Sequence, residues 1–130
     1  MSMSNKPPKS QKILVVEDNQ VNLELFMDLL DVGGYECLHT TKGEEAVDIA
    51  KREMPDLILL DIQLPGVDGL TVGKILKSQA ETKNIKVIAL TAYAMKGDKE
   101  MFLEEGFDGY IPKPVKMKEF LDAVEEYLRS

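Results

Sequence analysis

The stretch DLILLDIQLPG, residues 56–66, contains a continuous apolar run that ends at an acidic residue. A strand that is covered on both faces of a sheet is apolar at every position, whereas a strand with one face in water alternates apolar and polar residues. Two more runs share this character, ILVV at residues 13–16 and VIAL at residues 87–90. The three runs therefore predict central strands of a parallel sheet.

The rest of the chain contains five segments with the spacing of apolar residues that is typical of helices. They are a segment that ends at Gly33-Gly34, residues 44–53, a segment that starts after Asp68, residues 98–105, and a segment from Met117 to the end of the chain. Asp is a preferred helix N-cap, and glycine or a following proline commonly ends a helix. Two of these helices carry one apolar stripe each, and we expect Met117 to belong either to the core or to a partner surface. The stripes are Val72, Ile75 and Leu76 in the third helix, and Met117, Phe120, Leu121, Val124 and Leu128 in the last.

Strands that alternate with helices predict an α/β fold, in which right-handed crossovers cover both faces of one sheet. The more mixed segments 35–40 and 107–112 complete the set as edge strands. We therefore expect a flavodoxin-like, doubly wound five-stranded parallel sheet in the order 2-1-3-4-5 with five helices, an order known for this architecture. Residues 12–130 form this domain, and residues 1–11, rich in Ser, Lys and Pro, are predicted to be a flexible tail.

The composition favours a soluble protein whose partners are proteins or small ions, not nucleic acid or membrane. Sixteen Lys and Arg against 23 Asp and Glu leave a formal charge of -7 at pH 7, which repels nucleic acid and anionic membranes. No apolar run reaches the roughly 18 residues that a membrane span needs. The single Cys37 suits a reducing cytoplasm, where we expect the protein to reside. We expect Cys37 to be a packed residue and His39, the sole histidine, a surface residue.

Ligands of open α/β sheets bind beyond the carboxyl ends of the strands, at the point where the strand order reverses. Four predicted strands run into polar residues there, which are Glu17, Asp18, Asp61, Thr91 and Lys113. Taken singly, each has an ordinary role as a turn, cap or solvated loop residue. Their joint arrival at one edge of one sheet instead favours a functional site.

Three carboxylates at one place repel one another unless a cation lies among them. Their oxygen atoms suit Mg²⁺, with Mn²⁺ as the alternative, and we expect Asp18 and Asp61 to bind the ion directly and Glu17 to reach it through water. Asp61 then serves as the nucleophile of a phosphoryl transfer, since carboxylates form aspartyl phosphates. The Lys113 ammonium and the Thr91 hydroxyl stabilise the charge on the phosphoryl oxygens.

Four segments form a distinctive set of motifs, which are ILVVEDN at 13–19, the stretch 56–66, LTA at 90–92 and YIPKP at 110–114. Together they resemble the response-regulator receiver family, and the resemblance extends over nearly the whole chain. The resemblance implies that Asp61 accepts a phosphoryl group from a histidine kinase or a histidine phosphotransfer protein. It also implies that the Gln63 carbonyl joins the Mg²⁺ ligands, that Lys113 contacts the phosphoryl group, and that the Lys113-Pro114 bond is cis.

The same resemblance implies a switch. Thr91 and Tyr110 match the switch pair of the family, in which the hydroxyl moves toward the phosphoryl group and the aromatic ring moves inward. The output face would be the fourth helix, fifth strand and fifth helix, which contact a downstream protein target. The domain would be a signalling protein that assists its own phosphorylation and dephosphorylation, not an enzyme, and a monomer or weak dimer. Within the family, residues 17–22 and 91–98 are most similar to single-domain cell-cycle regulators and to receivers of hybrid histidine kinases.

Three other functions share some of these features. An aspartate-dependent Mg²⁺ phosphatase needs a second acid two residues after the nucleophile, and that position holds Gln63. A flavodoxin-like carrier needs hydrogen-bond donors for a flavin phosphate where Glu17 and Asp18 stand. A degenerate receiver that acts as a phosphorylation-independent scaffold would lack part of the site, whereas this chain carries the complete set of residues.

Overall fold

Strands and helices alternate along the chain in the computed structural model, which describes residues 11–64, 68–92 and 98–129. In chain order the elements are β1 (Lys12–Val16), α1 (Gln20–Val32), β2 (Glu36–Thr40), α2 (Gly43–Glu53), β3 (Leu57–Asp61), α3 (Gly69–Ser78), β4 (Lys86–Thr91), α4 (Asp98–Glu104), β5 (Gly109–Pro112) and α5 (Met117–Arg129). Within these ranges, five strands and five helices in strict alternation confirm the predicted α/β architecture.

One parallel sheet holds the described strands in the order β2-β1-β3-β4-β5. Every neighbouring pair is parallel, and Leu57 of β3, for example, lies opposite Ile13 of β1 and Lys86 of β4. The chain passes from β1 to β2 on one side and then crosses to β3 on the other. The strand order therefore reverses between β1 and β3, as the predicted order 2-1-3-4-5 requires.

The central strands are buried on both faces of the sheet. Residues 13–16 and 57–60 have 0% of their surface exposed. Successive side chains of a strand point to opposite faces, so Leu14 packs with α2, α3 and α4, whereas Ile13 packs with α1 and α5. The edge strands are more exposed, and His39 of β2 faces solvent as predicted. Burial of the central strands thus holds their carboxyl ends at one rigid edge.

Local sequence signals begin and end the helices. The side chain of Asp68 accepts a hydrogen bond from Leu70 N–H at 2.8 Å, which confirms Asp68 as the N-cap of α3. Helix α1 ends directly before Gly33-Gly34, and α2 ends two residues before Pro55. These boundaries agree with the stop signals in the sequence, because the signals act through the local backbone.

Two residues of the predicted apolar stripes are exposed. Ile75 is 36% exposed. The buried face of α3 consists instead of Gly69, Val72, Gly73 and Leu76. Two of these residues are glycines, which carry no hydrophobic signal, so the apolar spacing pointed to Ile75. Met117 is 53% exposed because it is the first residue of α5 and precedes the buried residues Phe120 and Val124.

Helix α4 ends at Glu104, one residue earlier than predicted.

Some predicted features lie outside the described residues. They are tail residues 1–10, residues 65–66 after β3, and residues 93–97 after β4. The extent of the tail therefore stays a prediction, although Gln11 is described and its C=O accepts a hydrogen bond from Glu36 N–H at 3.0 Å. Within the described ranges, no helix combines the length and the apolar character that crossing a membrane requires.

Candidate functional site

The polar residues that the sequence predicts at the strand ends lie at one edge of the sheet. Glu17 and Asp18 follow β1, Asp61 and Thr91 end β3 and β4, and Lys113 follows β5. The backbone pairing between β4 and β5 continues one residue beyond the end of β5, where Lys113 N–H donates to Thr91 C=O at 2.8 Å. The side chains therefore project from consecutive, hydrogen-bonded strands.

The acidic side chains form a tight cluster. One carboxylate oxygen each from Glu17, Asp18 and Asp61 lies within 4.8 Å of the other two. Glu17 and Asp61 are 1% and 4% exposed, whereas Asp18 is exposed. Because buried carboxylates are costly without compensating charge or hydrogen bonds, the cluster requires positive charge close to it.

The Lys113 ammonium supplies part of that charge. Its Nζ lies 2.9 Å from Glu17 Oε1 and 3.4 Å from Asp61 Oδ2. Since β3 and β4 lie between β1 and β5, the long lysine side chain reaches across the strand ends to Glu17. The sequence does not predict this pairing with Glu17. The Lys113-Pro114 peptide bond is cis, as the resemblance implies.

The electrostatics of the cluster fit a divalent cation. Burial raises the pKa of Glu17, the hydrogen bond with Lys113 lowers it, and the charge of Asp61 raises it again, so that the pKa lies above its ordinary value. One ammonium against three carboxylates leaves a net negative charge on these described side chains. Carboxylate oxygens at this spacing are the ligands that Mg²⁺ and Mn²⁺ prefer. The residues present therefore suit the ion that the sequence predicts.

Two further predicted residues lie beside Asp61. Gln63 N–H donates to Asp61 Oδ1 at 2.9 Å, so the main chain after β3 orients the carboxylate. The sequence does not predict this contact, and the Gln63 carbonyl as a metal ligand stays a prediction. Thr91 is 1% exposed at the end of the neighbouring strand β4. Its predicted contact with a phosphoryl group also stays a prediction.

Gly69 is a residue of this region whose role the sequence pattern does not predict. It begins α3, and its N–H donates to Ile62 C=O at 3.2 Å. A Cβ atom at this position would overlap the carbonyl oxygen of Asp61 and the Cα atom of Ile62. The missing side chain therefore lets α3 begin directly against the main chain of Asp61. The only signal was the Asp68-Gly69 pair, which indicates a helix start but not a close approach.

Tyr110 lies on the edge strand, outside the acidic cluster. It is opposite Ala89 in the sheet, and its half-buried ring packs on Phe102 of α4 with ring centroids 5.8 Å apart. Thr91, two residues beyond Ala89, lies opposite Pro112. The structure thus places Thr91 and Tyr110 on adjacent strands, and their action as a switch pair stays a prediction.

Cys37, the single cysteine of the chain, offers a test of its predicted role as a packed residue. Burial raises the pKa of its thiol from 9.0 to about 11. At pH 8 the thiolate, which is the reactive form, is therefore roughly a hundredfold scarcer than in an ordinary thiol. We expect iodoacetamide to alkylate the native protein roughly a hundredfold more slowly at pH 8 than the urea-unfolded chain. Equal rates in the two states would contradict this expectation.

The sheet order and the acidic edge define a flavodoxin-like domain with a carboxylate cluster that suits a divalent cation. The family model described as response regulator receiver domain matches residues 13–125. The chain therefore belongs to the response regulator receiver family, whose members serve two-component signalling. This membership confirms the family resemblance of the sequence motifs.

Individual relatives agree in sequence and in fold. The polar-differentiation response regulator DivK of Brucella anthropi is 49% identical over 121 residues, which cover 93% of this chain and 97% of that protein. The receiver domain of sensor histidine kinase PA1611 from Pseudomonas aeruginosa has a TM-score of 0.85 at 35% identity, covering 94% of this chain and 100% of that chain. That structure has a magnesium ion coordinated in the active site cleft. The receiver domain of a signal transduction histidine kinase from Syntrophus aciditrophicus has a TM-score of 0.83 at 34% identity, with 92% and 91% of the two chains covered. The predicted resemblance to the response-regulator receiver family is thus confirmed, and the similarity includes DivK and receivers of histidine kinases.

Proposed function

We propose that this domain is a cytoplasmic phosphorelay receiver in which Asp61 accepts a phosphoryl group from a histidine kinase or a histidine phosphotransfer protein. The observation that carries the proposal is the burial of Asp61 in a cluster with Glu17 and Asp18, with the Lys113 ammonium 3.4 Å from Asp61 Oδ2. In a chain of the response regulator receiver family, this arrangement supplies a nucleophile, a cation site and a fixed positive charge.

Each protein group has a separate task in the proposed transfer. A carboxylate oxygen of Asp61 forms a bond to phosphorus while the bond from phosphorus to the imidazole nitrogen of the donor breaks, and the electron pair leaves with the imidazole. The Gln63 N–H holds Oδ1 of Asp61 and so restricts the orientation of the carboxylate. Lys113 and the Thr91 hydroxyl stabilise the charge on the phosphoryl oxygens.

Mg²⁺, when bound, neutralises charge among the carboxylates so that an anionic phosphodonor can approach. Its proposed ligands are Asp18, Asp61, the Gln63 carbonyl and, through water, Glu17. Exposed Asp18 leaves one side of the cluster accessible to water, which suits an ion that keeps several water ligands.

An apolar surface beside the site suits a protein phosphodonor. Val21 and Leu25, four residues apart on α1, are 75% and 44% exposed, and Leu25 also lines a groove at this surface. This groove of about 320 Å³ lies between α1 and the segment after β5, and Lys113 forms part of its lining. Because contiguous exposed apolar side chains commonly mark contact surfaces, we propose that the donor docks here and presents its phosphoryl group to Asp61.

The proposed output is a change of protein contacts at α4, β5 and α5. A phosphoryl group brings about -1.5 to -2 charges and creates about one to three charge-assisted hydrogen bonds. Each such bond is worth roughly 1.5–3 kcal/mol, so two or three approach the ~5.5 kcal/mol that changes a 1:99 population into 99:1. Tyr110, which packs on Phe102 of α4, is the proposed reporter of this change together with Thr91.

Incubation with acetyl phosphate and Mg²⁺ is expected to add one phosphoryl group per chain. Chelation of the divalent cation with EDTA is expected to prevent the addition, because the carboxylates then repel the anionic donor. Mass spectrometry of the intact protein measures the stoichiometry, and fragmentation locates the modified residue. Incorporation at the same rate in EDTA would show that no cation takes part.

The same samples separate the rival functions. An aspartate-dependent phosphatase would turn over an unrelated phosphoester steadily, whereas the receiver takes up one phosphoryl group. A phosphorylation-independent scaffold would take up none from any donor. A flavodoxin-like carrier is disfavoured because the carboxylates of Glu17 and Asp18, which belong to the acidic cluster, stand where a flavin phosphate needs hydrogen-bond donors.

A further inference from the structure

Strand β5 is the outermost strand beside β4, so one side of its main chain has no strand partner among the described residues. Tyr127 of α5 lies against that side. Its hydroxyl oxygen accepts a hydrogen bond from Tyr110 N–H at 3.3 Å, and the hydroxyl donates one to Tyr110 C=O at 3.2 Å. A single side chain thus serves both main-chain polar groups of Tyr110, which an exposed strand edge would otherwise present to solvent or to another chain.

The fit of Tyr127 depends on the residue that precedes Tyr110. A Cβ atom at Gly109 would overlap Cε1, Cζ and the hydroxyl oxygen of the Tyr127 ring. The ring therefore lies directly against the main chain of Gly109, which is buried. Burial also raises the pKa of the Tyr127 hydroxyl, so the group keeps its proton and remains a donor at neutral pH. Any side chain at position 109 would displace the hydroxyl from its two partners.

We propose that Tyr127 is a positioning residue for the switch, and that its hydroxyl locks the main chain of Tyr110 to α5. The inference rests on the proposed function, in which Tyr110 is a switch residue. On its other side, the ring of Tyr110 contacts Phe102 of α4. Tyr110 is thus connected to α4 through its ring and to α5 through its main chain. A displacement of β5 that follows phosphorylation of Asp61 would therefore move α5 as well.

The variant Tyr127→Phe tests the lock because it keeps the ring and removes only the hydroxyl. In the unphosphorylated protein, we expect the Tyr110 amide to exchange its hydrogen roughly tenfold faster, with exchange in β1 and β3 unchanged. With Mg²⁺ and beryllofluoride, a mimic of the phosphoryl group, amide shifts at Thr91 and Lys113 are expected to match wild type. In Tyr127→Phe, the changes in amide chemical shift that beryllofluoride causes in α5 are expected to fall to about half of their wild-type size or less. General destabilisation of the fold would instead reduce the shift changes at Thr91 and Lys113 together with those in α5.

Two further variants serve as controls. Tyr35→Phe makes the same chemical change at a second half-buried tyrosine, whose hydroxyl forms no hydrogen bond with the described part of the chain, and it should leave both readouts unchanged. Gly109→Ala keeps the Tyr127 hydroxyl but displaces it, so it should reproduce the effects of Tyr127→Phe. The double variant should then be no worse than either single variant, because both remove the same interaction.

Unchanged exchange of the Tyr110 amide in Tyr127→Phe would overturn the proposal, and so would an equal loss of response at Thr91 and in α5. A wild-type protein that binds no beryllofluoride would instead overturn the proposed function. The exchange measurement needs no phosphoryl chemistry, so it would still decide whether the Tyr127 hydroxyl holds the main chain of Tyr110.

Discussion

Asp61→Asn is expected to reduce phosphoryl incorporation from acetyl phosphate to the background level. The substitution preserves the size of the side chain but replaces the nucleophilic carboxylate by a carboxamide, which does not form an acyl phosphate under these conditions. It also removes one of three carboxylates from the cation site, so the affinity for Mg²⁺ should fall. Intact-protein mass spectrometry after incubation with acetyl phosphate and Mg²⁺ measures the loss.

Asp56→Asn is the matched control because it makes the same change at the other end of the same strand. Asp56 precedes β3, is exposed, and accepts a hydrogen bond from Lys12 N–H at 2.7 Å. It lies at the amino ends of the strands, far along β3 from the acidic cluster, so phosphorylation should remain at the wild-type level. A phosphoryl group on another residue of Asp61→Asn, or an equal loss in both variants, would reject Asp61 as the acceptor.

Gly69→Ala is expected to lower the free energy of unfolding by roughly 1–3 kcal/mol, as overpacking in a closely packed region commonly does. Helix propensity alone predicts the opposite sign, because alanine is favoured over glycine in a helix by roughly 0.5–1 kcal/mol. The contact decides the sign, since the new methyl group would overlap main-chain atoms of Asp61 and Ile62, which no side-chain rotation can move away. Urea denaturation followed by circular dichroism measures the change.

Thr71→Ala controls for helix propensity in the same helix. Thr71 is exposed on α3, so alanine should leave the stability unchanged or raise it slightly. If Gly69→Ala had a higher free energy of unfolding than wild type, α3 would be able to shift without loss of stability. The close approach of α3 to Asp61 would then not be required. Since the overlap includes the carbonyl of Asp61, Gly69→Ala should also slow phosphorylation, whereas Thr71→Ala should not.

Much of the fold is predictable because its signals are local. The continuous apolar runs at 13–16 and 57–60 identify strands buried on both faces, and Asp68 and Gly33-Gly34 mark helix ends through their own backbone preferences. The inner face of α3 is not predictable in this way. Gly73 occupies that face because the ring of Phe107 packs on it, and a glycine adds nothing to a hydrophobic pattern.

Some features of the candidate site are likewise predictable from the sequence, and others are not. The positions of Asp61 and Thr91 at the ends of continuous apolar runs are local properties of the sequence. A parallel sheet then brings all carboxyl strand ends to one edge. The pairing of Lys113 with Glu17 is not local, since a lysine side chain can point in many directions from a strand end. The buried environment that draws it across β4 and β3 exists only after the sheet has assembled.

The sequence by itself thus determined which chemical groups this protein carries and at which strand end each stands, because strand periodicity and turn signals act over a few neighbouring residues. Only the tertiary structure decided which of those groups touch. Gly69 against Asp61, Lys113 with Glu17 and Tyr127 on Tyr110 are contacts between separate elements. Such contacts depend on the packing of helices on the assembled sheet, which leaves no periodic trace along the chain.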